Sequence, residues 1–192
     1  MKLRTYIVPK CFKKPLPWDT GLWWPNYQVD EIDYIEIDFQ FCRSAFYDWG
    51  EDMDARDWFK VGGLTGDWKH RNKDAVMIAA RSTGKLMEVT AYTNQDAKWR
   101  IGYGGDQHIL LMKPDEVGRA RIINLGNNKW EYQFFKGTDF PINNKIVHEC
   151  NLGKRAYKTG IYIGGSNNSP GRYGGRASQT MRIKKRVKII KN

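Results

Sequence analysis

Asp33-Tyr-Ile-Glu-Ile-Asp-Phe-Gln-Phe-Cys42 is the stretch on which the fold turns. Ile35, Ile37, Phe39 and Phe41 alternate strictly with Tyr34, Glu36, Asp38 and Gln40. A period of two sends the first set to one face of an extended strand and the second set to the other, so this is a strand with one face in a core. Such a strand needs partners, and the chain supplies them. Runs with strand character are predicted at 58–62, 75–81, 86–92, 99–103, 107–112, 119–125, 129–135 and 160–164. Turn chemistry separates them at Ser82-Thr-Gly-Lys, Thr93-Asn-Gln-Asp, Gly104-Gly-Asp, Lys113-Pro-Asp, Gly126-Asn-Asn and Lys136-Gly-Thr. No long amphipathic helix is predicted. Many short strands at this spacing predict an all-β fold, a two-sheet antiparallel sandwich.

The C-terminal segment carries the charge. From Asn151 to Asn192 there are eleven Lys and Arg and no carboxylate, which equals the net +11 of the whole chain, so residues 1–150 sum to zero. Within it, 180–190 reads as a closing strand, with Met181, Ile183, Val187 and Ile189 on one face and Arg182, Lys184, Arg186 and Lys188 on the other. Lys185 interrupts the apolar face, and a bulge is expected there. A glycine-rich cationic loop containing Arg172, Tyr173 and Arg176 precedes this strand. Asp30 to Asp57 holds ten carboxylates against Arg43 and Arg56, a net charge of −8. Charge so divided suits either head-to-tail contact between copies or internal pairing of the two regions.

At 192 residues the chain is long enough for one full core. Residues 1–17 carry Pro9, Pro15 and Pro17 with no period and are expected to form an extended N-terminal arm, leaving 18–192 as the sandwich. No apolar run approaches the ~20 residues of a membrane span, and the N-terminus lacks a signal-peptide core. Cys11, Cys42 and Cys150 are widely spaced and odd in number, which argues against a disulfide framework and for small apolar thiols in or near the core.

The order of signals resembles the concanavalin A-like (laminin-G-like) jelly-roll modules of bacteriophage virion proteins and gut-bacterial surface proteins. The residues that carry the resemblance are Trp18-Asp-Thr-Gly-Leu22, Glu36-Ile-Asp-Phe-Gln-Phe41, Phe59-Lys-Val-Gly-Gly63, the hairpin 121–132, Ile161-Tyr-Ile-Gly-Gly-Ser-Asn-Asn168 and the closing strand. It implies a jelly-roll sandwich, but that fold hosts lectins, hydrolases, lyases and inert modules alike.

Three functions stay open on the sequence. The preferred one is non-enzymatic: a structural or decoration component of a phage-like virion, capsid or tail, made in a host cytoplasm and contacting other virion proteins or copies of itself. Its contacts would be the arm (Lys10, Phe12, Lys13, Lys14), the acidic loop (Glu51, Asp52, Asp54) and the basic end (Arg172, Arg176, Arg182, Lys184, Arg186). The second is glycan binding through Trp24, Trp49 and Tyr173, since aromatic faces beside carboxylates and amides suit stacking on sugar rings. The blander reading of any one Trp is a core residue. No cofactor is expected, and Asp48, Asp52 and Asp54 are calcium candidates without EF-hand spacing.

The third is a polysaccharide lyase. Gln107-His108 and Tyr157-Lys-Thr-Gly-Ile-Tyr162 distantly resemble the Gln-Ile-His and Tyr-Phe-Lys-x-Gly-x-Tyr motifs of alginate-lyase jelly rolls. That resemblance implies His108 as base, Tyr162 as acid, and Arg119 or Arg100 as the cation for the uronate carboxylate. The Arg-x-Glu-x-Arg strand of those enzymes is missing from this sequence. A pI near 9.6 attracts polyanions, but no nucleic-acid fold signature accompanies it and no nucleic-acid partner is expected.

Overall fold

The computed structural model describes residues 4–8, 26–43, 46, 59–67, 73–83, 85–96, 98–101, 110–137, 146–159, 162–163 and 181–191. These contain fourteen strands: β1 (Arg4–Val8), β2 (Asn26–Gln28), β3 (Ile32–Phe41), β4 (Phe59–Thr65), β5 (Ala75–Ser82), β6 (Met87–Gln95), β7 (Lys98–Ile101), β8 (Leu110–Met112), β9 (Val117–Asn124), β10 (Lys129–Lys136), β11 (Ile146–Glu149), β12 (Arg155–Thr159), β13 (Tyr162–Ile163) and β14 (Met181–Lys191). A single 3-10 turn at Val29–Glu31 leads into β3.

The strands form two antiparallel sheets. One has six strands in the order β1-β14-β3-β9-β10-β11, the other eight, with β2-β12-β4-β5-β6-β7 in line, β13 on β4 and β8 on β6. The chain runs β3 in the first sheet, β4 to β8 in the second, β9 to β11 in the first, β12 and β13 in the second, then β14 back in the first. Crossing between layers in this way closes a jelly-roll sandwich, the expected fold class. No helix among the described residues is long and apolar enough to cross a membrane.

The alternation of β3 is what the core is built on. Ile35, Ile37, Phe39 and Phe41 are fully buried and pack with Ala120 and Ile122 of β9, Trp130, Tyr132 and Phe134 of β10, Val76, Ile78 and Ala80 of β5, and Val89 and Ala91 of β6. Burying side chains of this size stabilises by ~1.5–3 kcal/mol each, which is what holds the two layers face to face. Gly118 shows how closely they fit. A Cβ there would lie 2.6 Å from the Phe39 ring and 2.9 Å from the Met112 sulfur. The β9–β10 hairpin turns through Asn127 and Asn128, both at positive φ (50° and 61°), with Lys129 N–H donating to the Gly126 carbonyl at 2.9 Å. That is the primed turn whose twist matches its strands, and Asn tolerates its φ.

Two expectations change. Pairing of β14 with β3 runs through Lys185↔Phe39 without a shift, and the irregularity lies between Ile190 and Lys191. Lys185 is also paired on its other side, to Arg4 of β1; a bulge needs an unpaired residue, and both neighbours hold this one in register. Within the stretch read as an arm, Arg4–Val8 is extended but lies in the sheet as its edge strand.

Part of the charge division is met inside the chain. β14 lies against acidic β3 with Arg186 opposite Asp38 and Lys188 opposite Glu36. On the other side of β3, Arg119 Nε donates to Asp38 Oδ1 at 2.6 Å and Arg121 Nε to Glu36 Oε2 at 2.9 Å. Glu36 and Asp38 are 7% and 4% exposed, so their charges depend on these partners. At the strand end, Lys191 Nζ lies 2.7 Å from Glu31 Oε2.

Candidate functional site

The outer face of the eight-stranded sheet is built from residues that alternate with the core. Val76, Ile78 and Ala80 point inward with the main cluster, while Ala75, Met77, Ala79 and Tyr92 form a separate buried cluster. Cross-strand register carries polar groups into the same surface, because directly opposed residues share a face. Lys60 of β4 pairs with Ala79, which pairs with Thr90 of β6; Thr65 pairs with Ala75, which pairs with Asn94. On the other side of β4, Tyr157 and Thr159 of β12 oppose Thr65 and Gly63. Lys60, Thr65, Thr90, Asn94 and Thr159 are all buried.

A bulge sets Lys60 in place. The β4–β5 register shifts between Lys60 and Gly62, making Val61 the extra residue, and Val61 itself enters the core. Bulges of this kind re-aim a side chain, here the one before it. Gly62 and Gly63 follow because the backbone is crowded: a Cβ on Gly63 would lie 2.1 Å from the Val76 carbonyl oxygen. Lys60 Nζ sits 4.3 Å from the centroid of the Tyr92 ring, whose hydroxyl accepts a hydrogen bond from Asn94 Nδ2 at 3.3 Å. Burial lowers the Lys60 ammonium to about 7, so both the charged and the neutral amine are populated at neutral pH. One row along, Arg81 pairs with Glu88.

Beneath Tyr92 a polar relay crosses the interior. Tyr132 hydroxyl donates to the Tyr92 carbonyl at 3.0 Å and lies 2.7 Å from Thr93 Oγ1, which lies 2.6 Å from His148 Nδ1. One arrangement of protons satisfies the chain: His148 Nδ1–H to Thr93, Thr93 to Tyr132, Tyr132 to the carbonyl. Burial, with Arg100 second, lowers His148 to about 4, so the ring is neutral at pH 7. Trp130 Nε1 donates to the Cys150 carbonyl at 3.0 Å, and the Cys150 thiol donates to the Asn94 carbonyl at 3.3 Å. Burial pushes that thiol up to about 12, so it is an inert packing group, as expected for the cysteines.

The residues singled out in the sequence are scattered. Arg119 and Tyr162 do not meet. Arg119 is in the six-stranded sheet and paired to Asp38, whereas Tyr162 is in β13 of the eight-stranded sheet, at the register position opposite Lys60. Arg119 and Tyr162 thus belong to different sheets. Arg100 lies in β7, opposite Thr93. Arg182, Lys184 and Arg186 lie along β14, Lys184 opposite Gln40. His108, Trp24, Trp49, Tyr173, Lys10, Phe12, Lys13, Lys14, Asp48, Glu51, Asp52, Asp54, Arg172 and Arg176 lie outside the described residues. Lys60 was missed, although the signal was visible: a lysine between Phe59 and Val61, just before two glycines, in a strand otherwise apolar.

No protein-family model matches the chain, and no curated protein sequence does. Among solved structures it is similar to an exolytic PL7 alginate lyase from Zobellia galactanivorans, with 12% identity, a TM-score of 0.48, and 86% of this chain over 76% of that one. It is similar to an endo-β-1,4-glucuronan lyase from Trichoderma reesei, with 8% identity, a TM-score of 0.40, and 96% over 86%. A homodimeric agglutinin from chicken liver matches with 9% identity, a TM-score of 0.34, and 97% over 96%.

Proposed function

We propose that the chain is a carbohydrate-directed jelly-roll protein that binds its saccharide across the outer face of the eight-stranded sheet. One observation carries this reading: Lys60 is held over Tyr92 at the centre of that face, among Thr65, Thr90, Asn94 and Thr159. Hydroxyls, an amide and an amine gathered on one sheet face are the donors and acceptors that suit a saccharide's hydroxyls. Half-buried Tyr157 at the margin of the face offers an aromatic surface for a sugar ring. A glycan screen followed by calorimetry tests the reading. Tyr157→Ala is expected to weaken the best ligand about two- to tenfold, the loss of one ring contact of ~0.5–1.5 kcal/mol. An unchanged affinity would remove this face from consideration.

A catalytic version has its own support in Lys60. A neutral amine at pH 7 can accept the proton alpha to a uronate carboxylate, while a tyrosine hydroxyl at the position of Tyr162 gives its proton to the departing glycosidic oxygen as that C–O bond breaks. The product is an unsaturated uronate that absorbs in the ultraviolet. A flat absorbance trace on alginate and glucuronan would leave binding without chemistry.

A further inference from the structure

The outer face of the six-stranded sheet carries apolar groups that the sandwich core does not use. Register gathers them at one end. Ile190 of β14, Tyr34 of β3, Ile123 of β9 and Val147 of β11 lie in one row, with Glu131 of β10 before the last, and Leu125 follows two residues beyond Ile123. Leu125 and Val147 are 49% and 43% exposed, and Tyr34, Ile123 and Ile190 are half-buried. Single apolar residues on a surface are ordinary, whereas neighbouring ones rimmed by charge mark a contact with another protein. Two charged rows adjoin them, Lys188-Glu36-Arg121-Gln133 and then Asp38-Arg119-Phe135.

We propose that this face binds the same face of a second copy, giving a two-fold dimer of sandwiches set back to back. The argument is self-complementarity. A two-fold axis running along the strands between β3 and β9 exchanges those two neighbours, so each β3 residue meets, in the second copy, the β9 residue that stands opposite it in its own sheet. Tyr34 then packs on Ile123 of the second copy, and Glu36 and Asp38 meet its Arg121 and Arg119. Within one chain these guanidiniums engage the carboxylates through Nε, and they are 34% and 35% exposed. Guanidinium has five N–H donors in a fork, so its Nη groups serve the contact between copies. A uniformly anionic partner would meet Glu36 and Asp38, and a uniformly cationic one Arg119 and Arg121. A surface with both signs in this order is required, and the face itself is one. Six strands and the eight residues of β9 give a face of roughly 24 by 26 Å. Two such faces bury about 1,200 Å² in total, the lower limit of a specific interface, which sets the expected affinity in the micromolar range.

Sedimentation equilibrium of the whole protein from about 1 to 200 µM tests the proposal. The mass should climb from 22.4 kDa to twice that value and stop, because an isologous contact closes at two. Ile123→Lys buries an unpaired charge against Tyr34 of the second copy and should weaken the dimer at least about tenfold. Leu125→Lys sits at an exposed position that the fold of one copy does not need, and it should weaken the dimer several-fold even if Ile123→Lys fails to fold. Leu111→Lys is the control: Leu111 is 42% exposed in the other sheet, and its replacement should leave the dimer unchanged. A monomer at the highest concentration overturns the proposal, as does growth beyond two copies. A dimer indifferent to both lysines at 123 and 125, or weakened equally by Leu111→Lys, also overturns it. None of these outcomes bears on the saccharide reading, because back-to-back pairing leaves both eight-stranded faces turned outward.

Discussion

Replacing Lys60 with methionine is expected to make the protein more stable. The amine falls from an ordinary 10.5 to about 7 on folding. The unfolded chain therefore binds a proton more readily than the folded one everywhere between those values. Stability consequently rises with pH through that window, and the full penalty is present below 7. At 1.36 kcal/mol per unit the penalty is on the order of 4 kcal/mol at pH 7, and relaxation around the charge reduces it. Methionine has nearly the same length, carries no charge and fills irregular space without strain. Urea unfolding at pH 6, 7 and 9 checks the argument. The variant should exceed the wild type by roughly 2–4 kcal/mol at pH 6 and 7, with the gap narrowing at pH 9 as the wild-type amine loses its proton. A variant less stable than wild type at pH 7, or a gap independent of pH, would refute the desolvation argument and recast Lys60 as a stabilising structural cation.

Asp38→Asn leaves the Arg119 guanidinium without its closest carboxylate, 2.6 Å away, and should cost about 1–3 kcal/mol in urea unfolding; Arg119 is 35% exposed, which keeps the loss below that of a fully buried pair. Gly63→Ala places a Cβ 2.1 Å from the Val76 carbonyl and should lower stability by roughly 4 kcal/mol or more, or prevent folding, as read by circular dichroism. Thr93→Val removes the middle of the relay, so that His148 and Tyr132 each lose a partner; a loss of about 1–3 kcal/mol is expected, and the ring tautomer of His148 should change in nitrogen NMR. His148 itself should make the fold acid-sensitive. Its ordinary 6.5 falls to about 4 on folding, so stability drops as pH falls from 6.5 towards 4, and His148→Gln should flatten that part of the profile.

The strands that were legible in the sequence are those long enough to show a period. β3 announces itself through four alternating apolar residues, and β5, β6, β9 and β10 fall close to their predicted places. β11 and β12 escaped because four or five residues such as Ile-Val-His-Glu and Arg-Ala-Tyr-Lys-Thr are too short to display alternation. β12 owes its strand to partners, being held between β2 and β4. β1 escaped for a related reason: its edge position asks only that the backbone be extended, which leaves little mark on the side chains. The acid-to-base match of β3 and β14 was legible as charge and left open between copies and within one; only the register decided it.

The candidate site was hidden because its most telling residue breaks the rule by which the fold was read. A lysine in a strand is ordinarily assigned to solvent, and an alternation argument places Lys60 on an outer face and stops there. What it cannot show is that Lys60 is as buried as the core opposite. The two sheets treat charge in opposite ways. In the six-stranded sheet Asp38 and Glu36 accept hydrogen bonds from Arg119 and Arg121 of β9, an arrangement that stabilises the sandwich. In the eight-stranded sheet Lys60 lies over an aromatic ring, and its burial disfavours the charge it carries. The first arrangement is accounted for by folding. In the second, the cost of burying the charge falls on Lys60, which an alternation argument alone does not reveal.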